Sequence, residues 1–225
     1  MLYLIPTKHG YGIELWGTYD DLNNFYDVIS KFWNDEDKIH TDGFDNRDTL
    51  LSGFSYEIRK AKEGSRLKAS RNHLTHEPAS YLGVQISWVH FLFSLTALKY
   101  NMRYSETNKF DIAQILLIEF WLEKVMYAYD PTGAGNLIPY IEDALYPGNK
   151  YIYQYMRSIN HDFFLLGGGK KAFRKLSVLL KRGVYSTKEY QEYEAFLNAE
   201  AKRLKCEISN MELSDNDFDY SGFEW

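Results

Sequence analysis

Two long apolar segments in the middle of the chain constrain its fold more than any other feature. The first covers residues 81–104 and has a strongly apolar core over 86–98, and the second covers 110–129. That core is shorter than the roughly 20 residues that a membrane span needs, so it predicts a buried helix. In the second segment apolar side chains occur nearly all around a helix, which is typical of a helix at the centre of a bundle.

The segments around these two predict an α+β fold. Residues 1–7 and 13–19 predict a β-hairpin, Asp20 or Asp21 caps a helix, and residues 51–61 predict a third strand. Further helices are predicted over 137–145, 151–165, 170–182 and 187–206. We therefore expect a small antiparallel β-β-α-β sheet at the N-terminus, packed on a C-terminal helical bundle that makes the protein predominantly α.

No linker divides the chain, so we expect residues 1–206 to form a single α+β domain. Within it, residues 1–62 would form the sheet layer and residues 80–206 the helical bundle. Residues 207–225 contain six acidic and no basic residues. This composition predicts an acidic, mobile tail.

Charge and cysteine content exclude several classes of protein. The net charge is −5, and the acidic tail accounts for it, so nucleic-acid binding is possible but not favoured. Cys206 is the one cysteine, which rules out a disulfide within the chain and fits a reducing cytoplasm. No segment predicts a membrane partner. We expect no cofactor and no bound metal.

Four short motifs carry a resemblance to a known family. They are Gly12-Ile13-Glu14-Leu15-Trp16-Gly17, Tyr19-Asp20-Asp21-Leu22, Tyr56-Glu57-Ile58-Arg59-Lys60-Ala61 and Phe91-Leu92-Phe93. Together they resemble an uncharacterised bacterial family with a domain of unknown function, and the resemblance covers most of the chain. It implies a bacterial cytosolic protein and no particular activity.

A local motif gives a sharper hypothesis. Arg71, Asn72 and His76 are spaced like the Arg–polar–three residues–His motif of HEPN-type ribonucleases, which lies at the start of a helix. The resemblance implies a metal-independent ribonuclease, with His76 as general acid/base, Arg71 as a clamp on the scissile phosphate and Asn72 as an orienting residue. The alternative is a basic surface loop, because Pro78 disfavours helical geometry at Glu77.

A glycine-rich stretch before a predicted helix could bind an anion. Exposed N–H groups at Gly168 and Gly169, with the charges of Lys170 and Lys171, could hold a phosphate or a nucleotide. The alternative is a tight turn between two helices. An anion sensor would require two basic clusters to adjoin, and the acidic tail could then compete for that patch. The clusters are Arg59, Lys60, Lys62, Arg66, Lys68 and Arg71, and Lys170, Lys171, Arg174, Lys175, Lys181 and Arg182.

Two other groupings of titratable residues allow metal or acid/base chemistry. His73, His76 and Glu77 could contribute to a zinc site if another ligand came from elsewhere, but their order matches no zinc-protease motif. His90, Glu119 and Glu123 lie in the apolar segments and could form a buried acid/base site. The alternative for these three is a hydrogen-bonded core histidine and two carboxylates at the edge of the bundle.

The sequence therefore favours a non-enzymatic protein-interaction, regulatory or accessory protein. This hypothesis depends on the absence of a convincing catalytic set and on an aromatic content of 17%, since aromatic residues are enriched at interfaces. The expected partner is another protein or a second copy of the chain, so a homodimer is possible. The HEPN-like ribonuclease and the anion or nucleotide sensor are the alternatives.

Overall fold

A computed structural model describes residues 1–33, 41–71, 79–211, 213 and 215–225. The first elements are strands β1 (Tyr3–Pro6) and β2 (Gly12–Gly17), helices α1 (Tyr19–Lys31) and α2 (Phe44–Lys62), and strands β3 (Leu67–Arg71) and β4 (Ala79–Ser87). Six helices follow: α3 (Trp88–Met102), α4 (Lys109–Tyr129), α5 (Pro131–Glu142), α6 (Ile152–Leu165), α7 (Gly169–Leu180) and α8 (Lys188–Leu204). The prediction of a predominantly helical α+β protein is confirmed.

The four strands form one antiparallel sheet in the order β1-β2-β4-β3. Glu14 of β2 pairs with Gln85 of β4, and Leu67 at the start of β3 pairs with Gly83. Leu15 and Val84 pair on one face and are fully buried there, and α1 and α2 contact β2 and β4. The other side of the central strand pair carries Glu14 and Gln85, whose side chains hydrogen-bond to each other.

The predicted third strand over 51–61 is wrong, because these residues lie inside α2. The buried side chains of Leu51, Phe54, Ile58 and Ala61 are three or four residues apart, which places them on one face of a helix. The first part of the chain therefore has the order β-β-α-α-β-β instead of β-β-α-β.

The predicted helix over 81–104 begins late. Its first residues belong to β4, and Ser87 ends that strand by capping α3, its hydroxyl accepting a hydrogen bond from the His90 backbone N–H at 3.1 Å. The sheet layer therefore does not end at residue 62, and the bundle does not begin at residue 80. The helix predicted over 137–145 begins earlier, because residues 131–136 form the first turns of α5, which Asp130 caps and Pro131 begins.

Helix α4 does not lie at the centre of the bundle as predicted. It contacts α5 and β1 on one side, and its other side is open among the described residues. Ile112, Leu116 and Phe120 are 47%, 58% and 55% exposed. The second apolar segment therefore has both a core-facing side and an apolar outer side.

The acidic tail, predicted to be mobile, packs against helix α6 in its described part. Asp215 is buried and forms an ion pair with Arg157 at 2.7 Å. The ring of Phe164 contacts three tail rings at centroid distances of 4.9 to 5.4 Å, those of Tyr220, Phe223 and Trp225. Aromatic contacts therefore hold this segment, and its position does not depend on the two basic clusters.

A fully buried arginine joins the first helices to the bundle. Arg47 of α2 is 0% exposed, and its Nε donates to the Asn101 side chain at 2.9 Å. Its Nη1 donates to the backbone carbonyls of Asp42 and Pro147 at 2.7 and 2.9 Å. The hydrogen bonds satisfy a group that would be costly to bury alone. Within the described ranges, no helix combines the length and the apolarity needed to cross a bilayer.

Candidate functional site: a groove along the open edge of β4

A groove of about 740 Å³ lies where helix α2, strand β4 and the tail meet. One wall comes from α2, through Ser52, Gly53, Tyr56 and Glu57. The other residues that line it are Arg66, Leu67, Val84, Gln85, Ile86, Ser87, His90, Phe164, Tyr220 and Trp225. A groove of this size exceeds what one water molecule needs and suits a small molecule or a short peptide.

The groove exists because β4 is longer than β3. β3 begins at Leu67, which pairs with Gly83, so β4 continues for four residues with β2 as its one described strand neighbour. At the end of that stretch, the Trp88 backbone N–H donates to the Tyr11 carbonyl at 3.2 Å, on the β2 side.

The direction of the remaining main-chain groups follows from strand geometry. Successive residues of a strand direct their N–H and C=O groups to opposite edges. With Trp88 directed towards β2, the N–H of Ser87 and both main-chain groups of Gln85 are directed towards the groove. The groove therefore exposes a short open strand edge, which is a template for pairing with another extended segment.

A glycine leaves space beside this edge. Gly53 lies in the middle of α2, and a Cβ atom placed on it would have no heavy atom within 4 Å. A glycine inside a helix destabilises it by about 1 kcal/mol relative to alanine. No described side chain or backbone segment comes close enough to require a glycine at this position. The space beside Gly53 is therefore a feature of the groove.

The ionisable residues of the groove wall are either neutral or paired. Removal of water lowers the pKa of His90 from 6.5 to about 4, and this outweighs the opposing effects of the Glu57 charge and a hydrogen bond to the Leu50 carbonyl. His90 is therefore neutral near pH 7. Glu57 accepts two hydrogen bonds from the Arg66 guanidinium at 2.8 and 2.9 Å. A groove without a free charge suits an uncharged segment of chain.

The polar contacts of Ser87 are structural. Its hydroxyl donates to the Asn160 side chain at 2.6 Å and accepts from the His90 backbone N–H. The His90 ring makes its hydrogen bond to Leu50, on α2. An activated serine needs a hydrogen bond from its hydroxyl to a basic side chain, and these contacts do not supply one.

The HEPN-like motif falls largely outside the described residues. Arg71 is the last residue of β3, whereas the ribonuclease motif lies at the start of a helix. Asn72, His76 and the zinc candidates His73 and Glu77 belong to the part of the chain that the structure does not describe. The ribonuclease alternative therefore stays a prediction.

The glycine-rich stretch forms a turn between helices α6 and α7. Gly167, Gly168 and Gly169 have φ angles of +80°, +69° and +77°, a conformation that glycine adopts readily. The Gly169 N–H donates to the His9 carbonyl at 2.7 Å, so this donor at the start of α7 is occupied. Lys170 and Lys171 follow on the first turn of α7. Anion binding by Gly168, Gly169, Lys170 and Lys171 stays a prediction.

In the described part of the chain, acidic neighbours pair with five residues of the two basic clusters. In the first cluster, Lys60 pairs with Glu63 at 3.0 Å, and Arg66 pairs with Glu57. In the second cluster, Arg174 binds the buried Asp130 carboxylate through two nitrogens, and hydrogen bonding from Arg174 lowers the pKa of Asp130 to about 2. Such pairs reduce the positive potential available to an anionic partner.

The buried acid/base grouping does not form one site. Glu119 pairs with Lys99 at 2.7 Å, Glu123 is exposed on α4, and His90 lines the groove. Among the described residues, no three His, Cys, Asp or Glu side chains lie close enough to hold a metal ion.

Comparison with known proteins assigns the chain to a family. A family model for DUF6904, a domain of unknown function, matches residues 2–225. The chain belongs to the DUF6904 family. No curated protein and no solved structure matches it. The DUF6904 description assigns no activity, so the function has to be argued from the groove and the surface.

Sequence reasoning did not find the groove. Its edge depends on where β3 starts relative to β4, and both strands were absent from the predicted set of elements. One signal was available, because Gly53 interrupts an apolar helical pattern in which Leu50, Leu51 and Phe54 are buried. A glycine in the middle of such a pattern indicates a packing or functional requirement.

Proposed function

We propose that this protein binds an extended segment of a partner protein, which adds a strand to the open edge of β4. The observation that carries the proposal is that the open edge of β4 and the empty space at Gly53 line the same groove. Addition of a strand to an exposed sheet edge is a common mode of peptide recognition, in which main-chain hydrogen bonds give affinity and side-chain pockets give specificity.

The geometry indicates what kind of segment fits. Four residues of β4 span about 13 Å, so four or five residues of the partner would pair with them. The partner would bond to the main-chain groups of Gln85 and the N–H of Ser87. A side chain on the α2 side would lie beside Gly53 and Tyr56. We expect it to be apolar, because the wall has no free charge.

The family resemblance and the single Cys206 suggest that the protein works in a reducing bacterial cytoplasm. A binding function fits that location. The partner class, a protein, agrees with the high aromatic content of the chain. The DUF6904 description neither supports nor opposes a binding function.

The test uses a leucine at Gly53 to fill the groove. A phage library of random decapeptides is selected on the purified protein, and the selected peptides are synthesised and measured by titration calorimetry. The Gly53→Leu variant should lose binding of these peptides. Gly135→Leu is the matched control, because Gly135 is also exposed and helical, and a Cβ atom placed on it would likewise have no heavy atom within 4 Å.

Hydrogen exchange supplies a second readout. Bound peptide should slow exchange of the Gln85 and Ser87 amides in the wild-type protein. Methylation of the peptide nitrogens that face β4 should abolish binding. A selection that yields no peptide sensitive to Gly53→Leu, or peptides whose binding leaves both amides unprotected, would show that the groove is not a strand-addition site.

A further inference from the structure

Helix α4 has an apolar outer stripe that no described residue covers. Ile112, Leu116 and Phe120 follow one another at intervals of four residues and are each about half exposed. Side chains at this spacing lie along one face of a helix. Scattered apolar residues are ordinary at a surface, but a continuous row over more than two helical turns is typical of an interaction site.

Two charged residues lie on the same line, at equal distances from Leu116. Lys109 is seven residues before it, and Glu123 is seven residues after it, so each is two helical turns away. Both are exposed, and neither has a described ion pair. Along this line the stripe has a lysine at one end, an apolar middle and a glutamate at the other end. Lys124, beside Glu123, turns towards the Phe120 and Trp121 rings.

We infer that α4 pairs with α4 of a second copy of the chain, antiparallel, around a two-fold axis at Leu116. In such a pair, a residue that lies n positions before Leu116 in one copy contacts the residue that lies n positions after Leu116 in the other copy. Leu116 meets Leu116, Ile112 meets Phe120, and Lys109 meets Glu123. The last two contacts occur twice, because the interface of a two-fold dimer uses the same surface from both copies.

The charge pattern selects this arrangement over a parallel one. A parallel pair in register would place Lys109 against Lys109 and Glu123 against Glu123, and like charges across an interface are unfavourable. The antiparallel pair places opposite charges at both ends. The stripe is thus complementary to itself in one orientation, which identifies a second copy as its occupant. This inference is independent of the proposed peptide groove.

Analytical ultracentrifugation over a wide range of protein concentration tests the inference. The wild-type chain should sediment as a dimer that dissociates on dilution, and Leu116→Lys should sediment as a monomer. Val178→Lys is the matched control and should remain dimeric, because Val178 is 56% exposed on α7 and lies outside the stripe. Circular dichroism should show the same helix content for both variants.

Charge reversal then tests the orientation. Lys109→Glu alone and Glu123→Lys alone should each raise the dimer dissociation constant about tenfold or more, since each places like charges together twice. The double variant with both changes should restore the wild-type dissociation constant. A wild-type monomer at all concentrations, a dimer unaffected by Leu116→Lys, or a double variant without restoration would each overturn the inference.

Discussion

The neutral histidine in the groove wall predicts a particular loss of stability in mild acid. Removal of water holds the pKa of His90 at about 4 in the folded protein, against 6.5 for an ordinary histidine. The unfolded chain therefore binds this proton more readily than the folded chain does. Where the unfolded state binds more protons, the free energy of unfolding rises with pH. His90 thus contributes full stability above about pH 6.5 and loses it as the pH falls towards 4.

The magnitude follows from the two pKa values. Between about pH 8 and about pH 5, the difference in proton binding should lower the free energy of unfolding by at most about 2 kcal/mol. The loss should level off below about pH 4, where the histidine is protonated in both states. The charge of Glu57, which pairs with Arg66, opposes the shift but is outweighed by the removal of water.

Urea denaturation at several pH values measures this effect. The wild-type protein is compared with His90→Gln, because glutamine can donate to the Leu50 carbonyl and does not titrate. Other groups contribute equally to both proteins, so the difference between the two curves isolates His90. The wild type should lose about 2 kcal/mol more than the variant between about pH 8 and about pH 5. Parallel curves would refute the reasoning that the folded structure keeps His90 neutral.

Three further substitutions test other parts of the structure by urea denaturation. Arg47→Ala should lower the free energy of unfolding by about 3 kcal/mol or more, because the buried Asn101 side chain and two part-buried carbonyls lose a charged donor; a loss below about 1 kcal/mol would contradict this. Gly53→Ala should raise it by about 1 kcal/mol, since alanine favours helix and meets no atom there. Gly43→Ala should instead lower the free energy of unfolding, because Gly43 has a φ of +75° and an added Cβ would lie 2.6 Å from the Asn149 carbonyl oxygen. Equal effects of Gly53→Ala and Gly43→Ala on the free energy of unfolding would refute this reasoning.

The parts of the fold that depend on local pattern could be predicted from the sequence. The β1–β2 hairpin and helix α1 follow from strand-forming residues, a glycine-containing turn and an acidic first turn. The predicted cap was wrong in one detail: Thr18 is the N-cap of α1, and Asp21 completes the capping box from within the first turn. Residues 51–61 misled the prediction because a short apolar run fits both a strand and a helix. In α2 it is packing of Leu51, Phe54 and Ile58 against neighbouring elements that decides between them.

The candidate site depends on relations that no local pattern contains. The groove needs β3 to start opposite Gly83, and this register arises from pairing between strands that the sequence did not reveal. The outer stripe of α4 was visible as an apolar pattern, but apolar residues all around a helix predict burial on every side. Its exposure depends on which neighbours α4 meets, and those are set by the whole fold.

The central strand pair of the sheet also bears on how the chain folds. Glu14 and Gln85 meet although 71 residues separate them. Closing so long a loop costs conformational entropy before any contact between the strands is gained, so pairing of this kind is intrinsically slow. During synthesis, β1, β2, α1 and α2 leave the ribosome before β4 does. Until β4 arrives, β2 has an unpaired edge of its own, and the nascent chain is most exposed to wrong strand pairing in that interval.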